Sequence, residues 1–155
     1  MTDVGLPRAV FDTNVIIAAL LSRNPRSPLV ELLTRWRRRE FTLVYCEDLR
    51  AEYREKIIAK RIQINKARQF MSELLLMGAQ VTLTEADLLP RVPADPDDDI
   101  VVACAVVGRA THLVTYDPHI HTLGSTYQGI RVLDGLHFLY ALRGDRPPLP
   151  DPTKR

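Results

Sequence analysis

Cysteine is scarce in this chain of 155 residues. Cys46 and Cys104 are its only two, they lie far apart, and they match no metal-binding or redox spacing. A disulfide framework is excluded and a reducing compartment fits. Long apolar runs are missing too. The longest, residues 100–107, is far short of a membrane span. The N-terminus carries Asp3 and Pro7 where a signal peptide needs an apolar stretch, so the expected location is the cytoplasm. No Gly-rich phosphate loop is present, which argues against a nucleoside-triphosphate enzyme. Nor is there an internal repeat or a mid-chain linker. A strong charge of one sign is also lacking, since the net charge is only +2.

What is there fits one domain. The chain is 46% hydrophobic and 26% charged, with enough length to bury a useful core. Charge is unevenly placed. Arg35, Arg37, Arg38 and Arg39 cluster, and Arg50, Arg54, Lys56, Lys60, Arg61, Lys66 and Arg68 follow. Acids concentrate at Asp95, Asp97, Asp98 and Asp99. A basic half beside an acidic centre suits an anionic substrate, although charged helices also simply keep their outer faces wet. Residues 1–7 read as a flexible arm and residues 143–155, with Pro147, Pro148, Pro150 and Pro152, as an extended tail.

Between them, residues 8–142, strand and helix patterns alternate. Strands are expected at 9–11, 41–45, 81–83, 112–115 and 130–133. Helices are expected at 14–21, from Pro28 through Trp36, at 47–59, 66–77, 97–107 and 136–142. Such alternation predicts an α/β fold: a three-layer α/β/α sandwich around a parallel sheet of about five strands. In these sheets ligands bind outside the carboxyl ends of the strands.

Three acids fall at that edge. Asp12 follows the first strand, Asp117 follows the fourth by two residues, and Asp98 opens the apolar helix. Glu52 flanks the buried stripe of its own helix, between Leu49 and Tyr53. Each has a structural alternative. Asp12 could cap a helix, Asp98 could complement a helix dipole, Asp117 before Pro118 could start a turn, and Glu52 could pair with Lys56. Those alternatives do not explain the shared edge. Converging carboxylates raise one another's pKa values, and a divalent cation reverses that cost. Oxygen ligation points to Mg²⁺ or Mn²⁺, and the matching chemistry is phosphodiester hydrolysis. A phosphatase with a nucleophilic Asp12 normally needs a second acid where this chain has Asn14. His119 and His121 lie near Asp117, so phosphate contact or proton transfer is open to them; no third zinc-type ligand accompanies them. Trp36 beside the arginine cluster could stack on a base, but core packing is the favoured reading for it, as for Tyr53 and Cys104.

The segments that carry these acids resemble PIN-domain ribonucleases. They are Val10-Phe11-Asp12-Thr13-Asn14-Val15, Cys46 through Glu52, Asp95 through Ala105, and Leu113-Val114-Thr115-Tyr116-Asp117. Their order and spacing are most similar to the branch of toxins of toxin–antitoxin pairs related to VapC. The resemblance implies a Mg²⁺-dependent endoribonuclease, with Mn²⁺ as the alternative ion. It makes Asp12, Glu52, Asp98 and Asp117 the metal-binding quartet, has Asn14 orient Asp12 or a water, and puts Thr115 in hydrogen-bonding reach of an acid. Asp98 is preferred to Asp95 and Asp99 because it precedes Ala105 by seven residues. Where this chain has Cys46 and Tyr116, relatives often have Ser or Thr and Gly, which bears on the helix cap and the site mouth; where it has His119 they often have another acid, and that departure favours one ion over two. The resemblance further implies an RNA substrate, an antitoxin partner and a homodimer formed through the apolar helices of residues 14–36. The competing function is a non-catalytic RNA-binding or scaffold domain.

Overall fold

The computed structural model describes residues 5–144. The first four residues of the expected arm, and the expected tail beyond Gly144, lie outside the described residues. The chain forms β1 (Arg8–Phe11), α1 (Thr13–Leu21), α2 (Pro28–Arg37), β2 (Thr42–Cys46), α3 (Glu47–Ala59), α4 (Ile64–Met77) and β3 (Ala79–Val81). A 3-10 turn at Glu85–Asp87 follows, then α5 (Asp98–Val107), β4 (His112–Val114), α6 (Pro118–His121), β5 (Thr126–Tyr127), β6 (Ile130–Leu133) and α7 (Gly135–Arg143).

The sheet order is β3-β2-β1-β4-β6-β5. All pairings are parallel except β5 with β6. The expected five parallel strands are therefore β1, β2, β3, β4 and β6, and the count is corrected to six by an antiparallel edge strand. That strand is only two residues long and returns through Gln128 and Gly129, both at positive φ (49° and 82°). Two positive φ values make a tight hairpin turn with the twist that antiparallel strands need. Gln at its first position hides the signal that Asn-Gly or Asp-Gly would have given.

β3 begins two residues earlier than expected. Gly78 ends α4 and leads straight into the strand. A Cβ at Gly78 would stand 2.7 Å from Tyr45 Cε1, so only glycine lets the helix end so close to β2. Helices flank the sheet. Trp36, Phe70 and Tyr53 join α2, α4 and α3 through ring contacts at 5.8 and 5.9 Å. α5 packs on β1, β2 and β4, with Val101, Val102, Cys104 and Ala105 buried. Right-handed crossovers put the β1-to-β2-to-β3 connections on one face and the α5 connection on the other. The Cys46 and Cys104 thiols meet between β2 and α5 as free cysteines.

Two surface readings are decided. Trp36 is core, packed on Phe70. Part of the arginine cluster is paired within the chain: Arg35 with Glu31 and Glu40, Arg37 with Glu73. Arg54, Lys56, Lys60, Arg61 and Arg68 stay exposed. Most apolar side chains of residues 14–36 are consumed by the protein's own core. No helix among the described residues is long and apolar enough to cross a membrane.

Candidate metal centre

The carboxyl edge of the sheet carries the site because four chain segments bring acids to it. β1 delivers Asp12, which is buried although charged. Asp12 is the N-cap of α1: its Oδ1 accepts from the Thr13 amide at 2.8 Å. Its Oδ2 accepts from the Thr115 hydroxyl at 2.7 Å, so β4 holds it from the other side. Burial, and the charges of Glu52 and Asp117, push Asp12 above the usual carboxylate range despite those bonds.

Glu52 arrives on α3. The helix is anchored one residue later, where the Tyr53 hydroxyl donates to the Phe11 carbonyl. The Thr13 hydroxyl donates to Glu52 Oε2 at 2.6 Å. Thr13 thus links Glu52 to the residue that precedes it, Asp12. Among the described residues Glu52 forms no ion pair with Lys56.

Asp117 follows β4 and caps the short α6, its Oδ1 accepting from the His119 amide at 2.8 Å. Its own amide donates to Thr115 Oγ1 at 2.9 Å. One hydroxyl therefore donates to Asp12 and accepts from the Asp117 backbone. His121 Nε2 lies 2.8 Å from the Thr115 carbonyl and braces the same turn.

Asp98 is the first residue of α5 and is 7% exposed. Its Oδ2 is fully buried and has no hydrogen-bond partner; among the described residues only Arg50 Nε shares that condition. Burial, the Asp117 carboxyl close enough to hydrogen-bond the protonated form, and the charges of Asp117, Asp95 and Asp12 push Asp98 up to about 8. One ligand atom from each of Asp95, Asp98, Asp117 and His119 lies within 4.8 Å of the other three.

The structure thus gathers Asp98 and Asp117 with Asp95 and His119, and sets Asp12 and Glu52 beside them as a pair joined through Thr13. Asp99 serves the loop instead. Its Oδ1 accepts from the Arg91 and Val92 amides at 2.8 and 2.7 Å and folds the preceding segment back. Asn14 is exposed on the first turn of α1. Cys46 is the N-cap of α3 and supplies no side-chain cap hydrogen bond. Thr13 is a site residue that the sequence motifs do not single out, although its place next to Asp12 at the first helical position is a usable signal. Sequence alone also ranks Asp95 behind Asp98, and offers His119 only zinc, phosphate or proton-transfer roles.

An orphaned, buried oxygen on a carboxylate that itself stands among other carboxylates is what a cation would satisfy. The donor set is three carboxylates and one imidazole, which fits a divalent ion. A family model described as PIN domain matches residues 8–119, a span that runs from the first residue of β1 to His119. No curated protein matches the chain.

Proposed function

The chain belongs to the PIN domain family, and from that premise we propose that it is a metal-dependent endoribonuclease. PIN domains are generally nucleases and typically bind divalent metals. The observation that carries the reading is the unpartnered Asp98 Oδ2, buried among acids that converge at the carboxyl edge of the sheet. Asp98 and Asp117 would hold the ion, with Asp12 and Glu52 adding charge beside it. Bound there, Mg²⁺ or Mn²⁺ supplies activation of the attacking water and neutralisation of charge at phosphorus.

The chain's own residues orient the acids and attract the substrate. Thr115 and Thr13 fix the orientations of Asp12 and Glu52, so neither carboxylate has to reorganise when the substrate arrives. Lys56 stands one helical turn after Glu52, and exposed Lys60 follows one turn later at the end of α3, extending a cationic surface along that face. That surface suits an RNA backbone beside an acidic centre.

The order of the four acidic segments further supports a toxin of a toxin–antitoxin pair. In that role a partner protein would silence the enzyme by placing a cationic side chain among the acids. The test compares purified wild type with Asp12→Asn on RNA, with Mg²⁺ or Mn²⁺. Cleavage only by the wild type, with both proteins equally folded, is expected. A wild type that cuts no RNA with either ion refutes the nuclease. Growth arrest on expressing the wild type alone supports the toxin role, and mapped RNA ends identify the substrate.

A further inference from the structure

The acidic end of the sheet contains one donor that is not an oxygen. His119 follows Asp117 by two residues, inside α6. Its Nδ1 lies 3.5 Å from Asp117 Oδ1. Two ligands bound at about 2.1 Å to one ion can be at most about 4.2 Å apart, so this pair already stands at ligand spacing. Oxygens of Asp95 and Asp98 complete a group whose members lie within 4.8 Å of one another, slightly wider than a closed shell, so a bound ion would draw them together.

A cluster of acids alone would prove nothing, since exposed acids are common. Asp98 differs: it is 7% exposed, and its Oδ2 is sealed from solvent with no donor facing it. Leaving such an oxygen unpaired is costly, and a cation at this point removes the cost. The imidazole is held by local chemistry as well. The Asp117 cap on the His119 amide fixes the backbone from which the ring projects.

We infer that this centre is a mixed carboxylate–imidazole site, with His119 as a ligand, that holds Mn²⁺ in preference to Mg²⁺. The inference rests on reading the acidic end as the metal centre of the proposed nuclease. Mg²⁺ is hard, prefers oxygen and keeps its waters, so a nitrogen donor adds little to its binding. Mn²⁺ shares the carboxylate preference of Mg²⁺ but, as the first of the transition ions in the affinity order, gains more from a nitrogen donor than Mg²⁺ does, though less than the later ions. The preference therefore resides in His119, while the carboxylates serve both ions.

The experiment titrates Mn²⁺ and Mg²⁺ separately into metal-free wild type, His119→Ala and His121→Ala. Pulsed EPR of the Mn²⁺ forms then looks for coupling to ¹⁴N. His119 is about half exposed (side chain 48%), so its alanine variant should fold, and thermal unfolding without metal checks this. In His119→Ala, Mn²⁺ affinity should fall about tenfold and Mg²⁺ affinity change less than about twofold. The ¹⁴N coupling should be present in wild type and His121→Ala and lost in His119→Ala.

Equal losses for both ions, a coupling that survives His119→Ala, or Mn²⁺ bound without any coupling would each overturn the inference. So would a wild type that binds neither ion. RNA cleavage separates the two readings. Wild type that cuts RNA with Mg²⁺ yet shows no imidazole coupling overturns the ligand and keeps the nuclease. Wild type that binds Mn²⁺ through His119 yet cuts no RNA does the reverse.

Discussion

Without a cation, a proton takes its place at Asp98. Burial, the neighbouring Asp117 carboxyl and the surrounding acids raise Asp98 from the usual value of 3.8 to about 8. A group at about 8 is ~90% protonated at pH 7 and ~10% protonated at pH 9. A divalent ion bound at this carboxylate must displace the proton. Binding should therefore release about 0.9 proton from Asp98 at pH 7 and about 0.1 at pH 9, with apparent affinity rising about tenfold between them. Asp12, also raised by burial, adds release in the same direction. Calorimetric titrations in buffers of different ionisation enthalpy give the proton number as the slope of observed heat. Asp98→Asn should bind the ion weakly and lose the release. Saturable binding at pH 7 with no dependence on buffer would refute the reasoning. The stability consequence has a definite sign. At Asp98 the folded metal-free protein holds more proton than the unfolded chain between about pH 4 and 8, so the Asp98 contribution to stability falls as pH rises through that window. Asp98→Asn should flatten the fall.

Two further outcomes follow from neighbouring groups. His112 is buried against Phe138, and burial with the nearby Arg131 charge pushes it down from 6.5 to about 4. Its contribution is complete above pH 6.5 and is lost as pH falls through 4, amounting to about 3 kcal/mol. The Asp98 contribution is common to wild type and His112→Gln, so the stability difference between the two, from denaturant unfolding, should shift by this amount against wild type from pH 7 to pH 4; a difference that does not change with pH would refute it. Thr115→Val removes the donor to Asp12 Oδ2 and the acceptor for the Asp117 amide. It should cost about 1–3 kcal/mol of stability and reduce RNA cleavage, whereas Thr115→Ser keeps both bonds and most of the activity. Identical behaviour of the two variants in unfolding and cleavage assays would show that the hydroxyl does not matter.

Much of the architecture is legible in the sequence because its signals are local. Ser27-Pro28 marks the start of α2, and the 47–59 stripe delimits α3 to the residue. The parts that escape depend on tertiary contact. β3 starts where it does because Gly78 fits under the Tyr45 ring, which no periodicity encodes. β5 and α6 are too short to show a period at all. At the site, the edge position of Asp12 and Asp117 follows from where their strands end. The nearness of Asp95 and His119 does not. It requires the loop that Asp99 pulls back by gripping the Arg91 and Val92 amides, together with the single turn of α6.

The structural and functional readings of these acids turn out to be compatible, and their combination locates the ion. Asp12 caps α1 and Asp117 caps α6, so the cap readings are realised. Capping and ligation do not compete, since a carboxylate has about four lone-pair sites and a backbone amide occupies one. The bonds to Thr13 and Thr115 already stabilise the charged form of Asp12, one on each oxygen. Nothing comparable reaches Asp98 Oδ2. A cation gains most where the charged form is least supported, because there it relieves the largest desolvation cost. The ion should accordingly centre on Asp98 and Asp117, with Asp12 serving from the side. Asp98→Asn should then weaken ion binding more than Asp12→Asn, even though both abolish cleavage. Calorimetry on the two variants measures the difference, and equal affinities would place the ion midway between the two carboxylates.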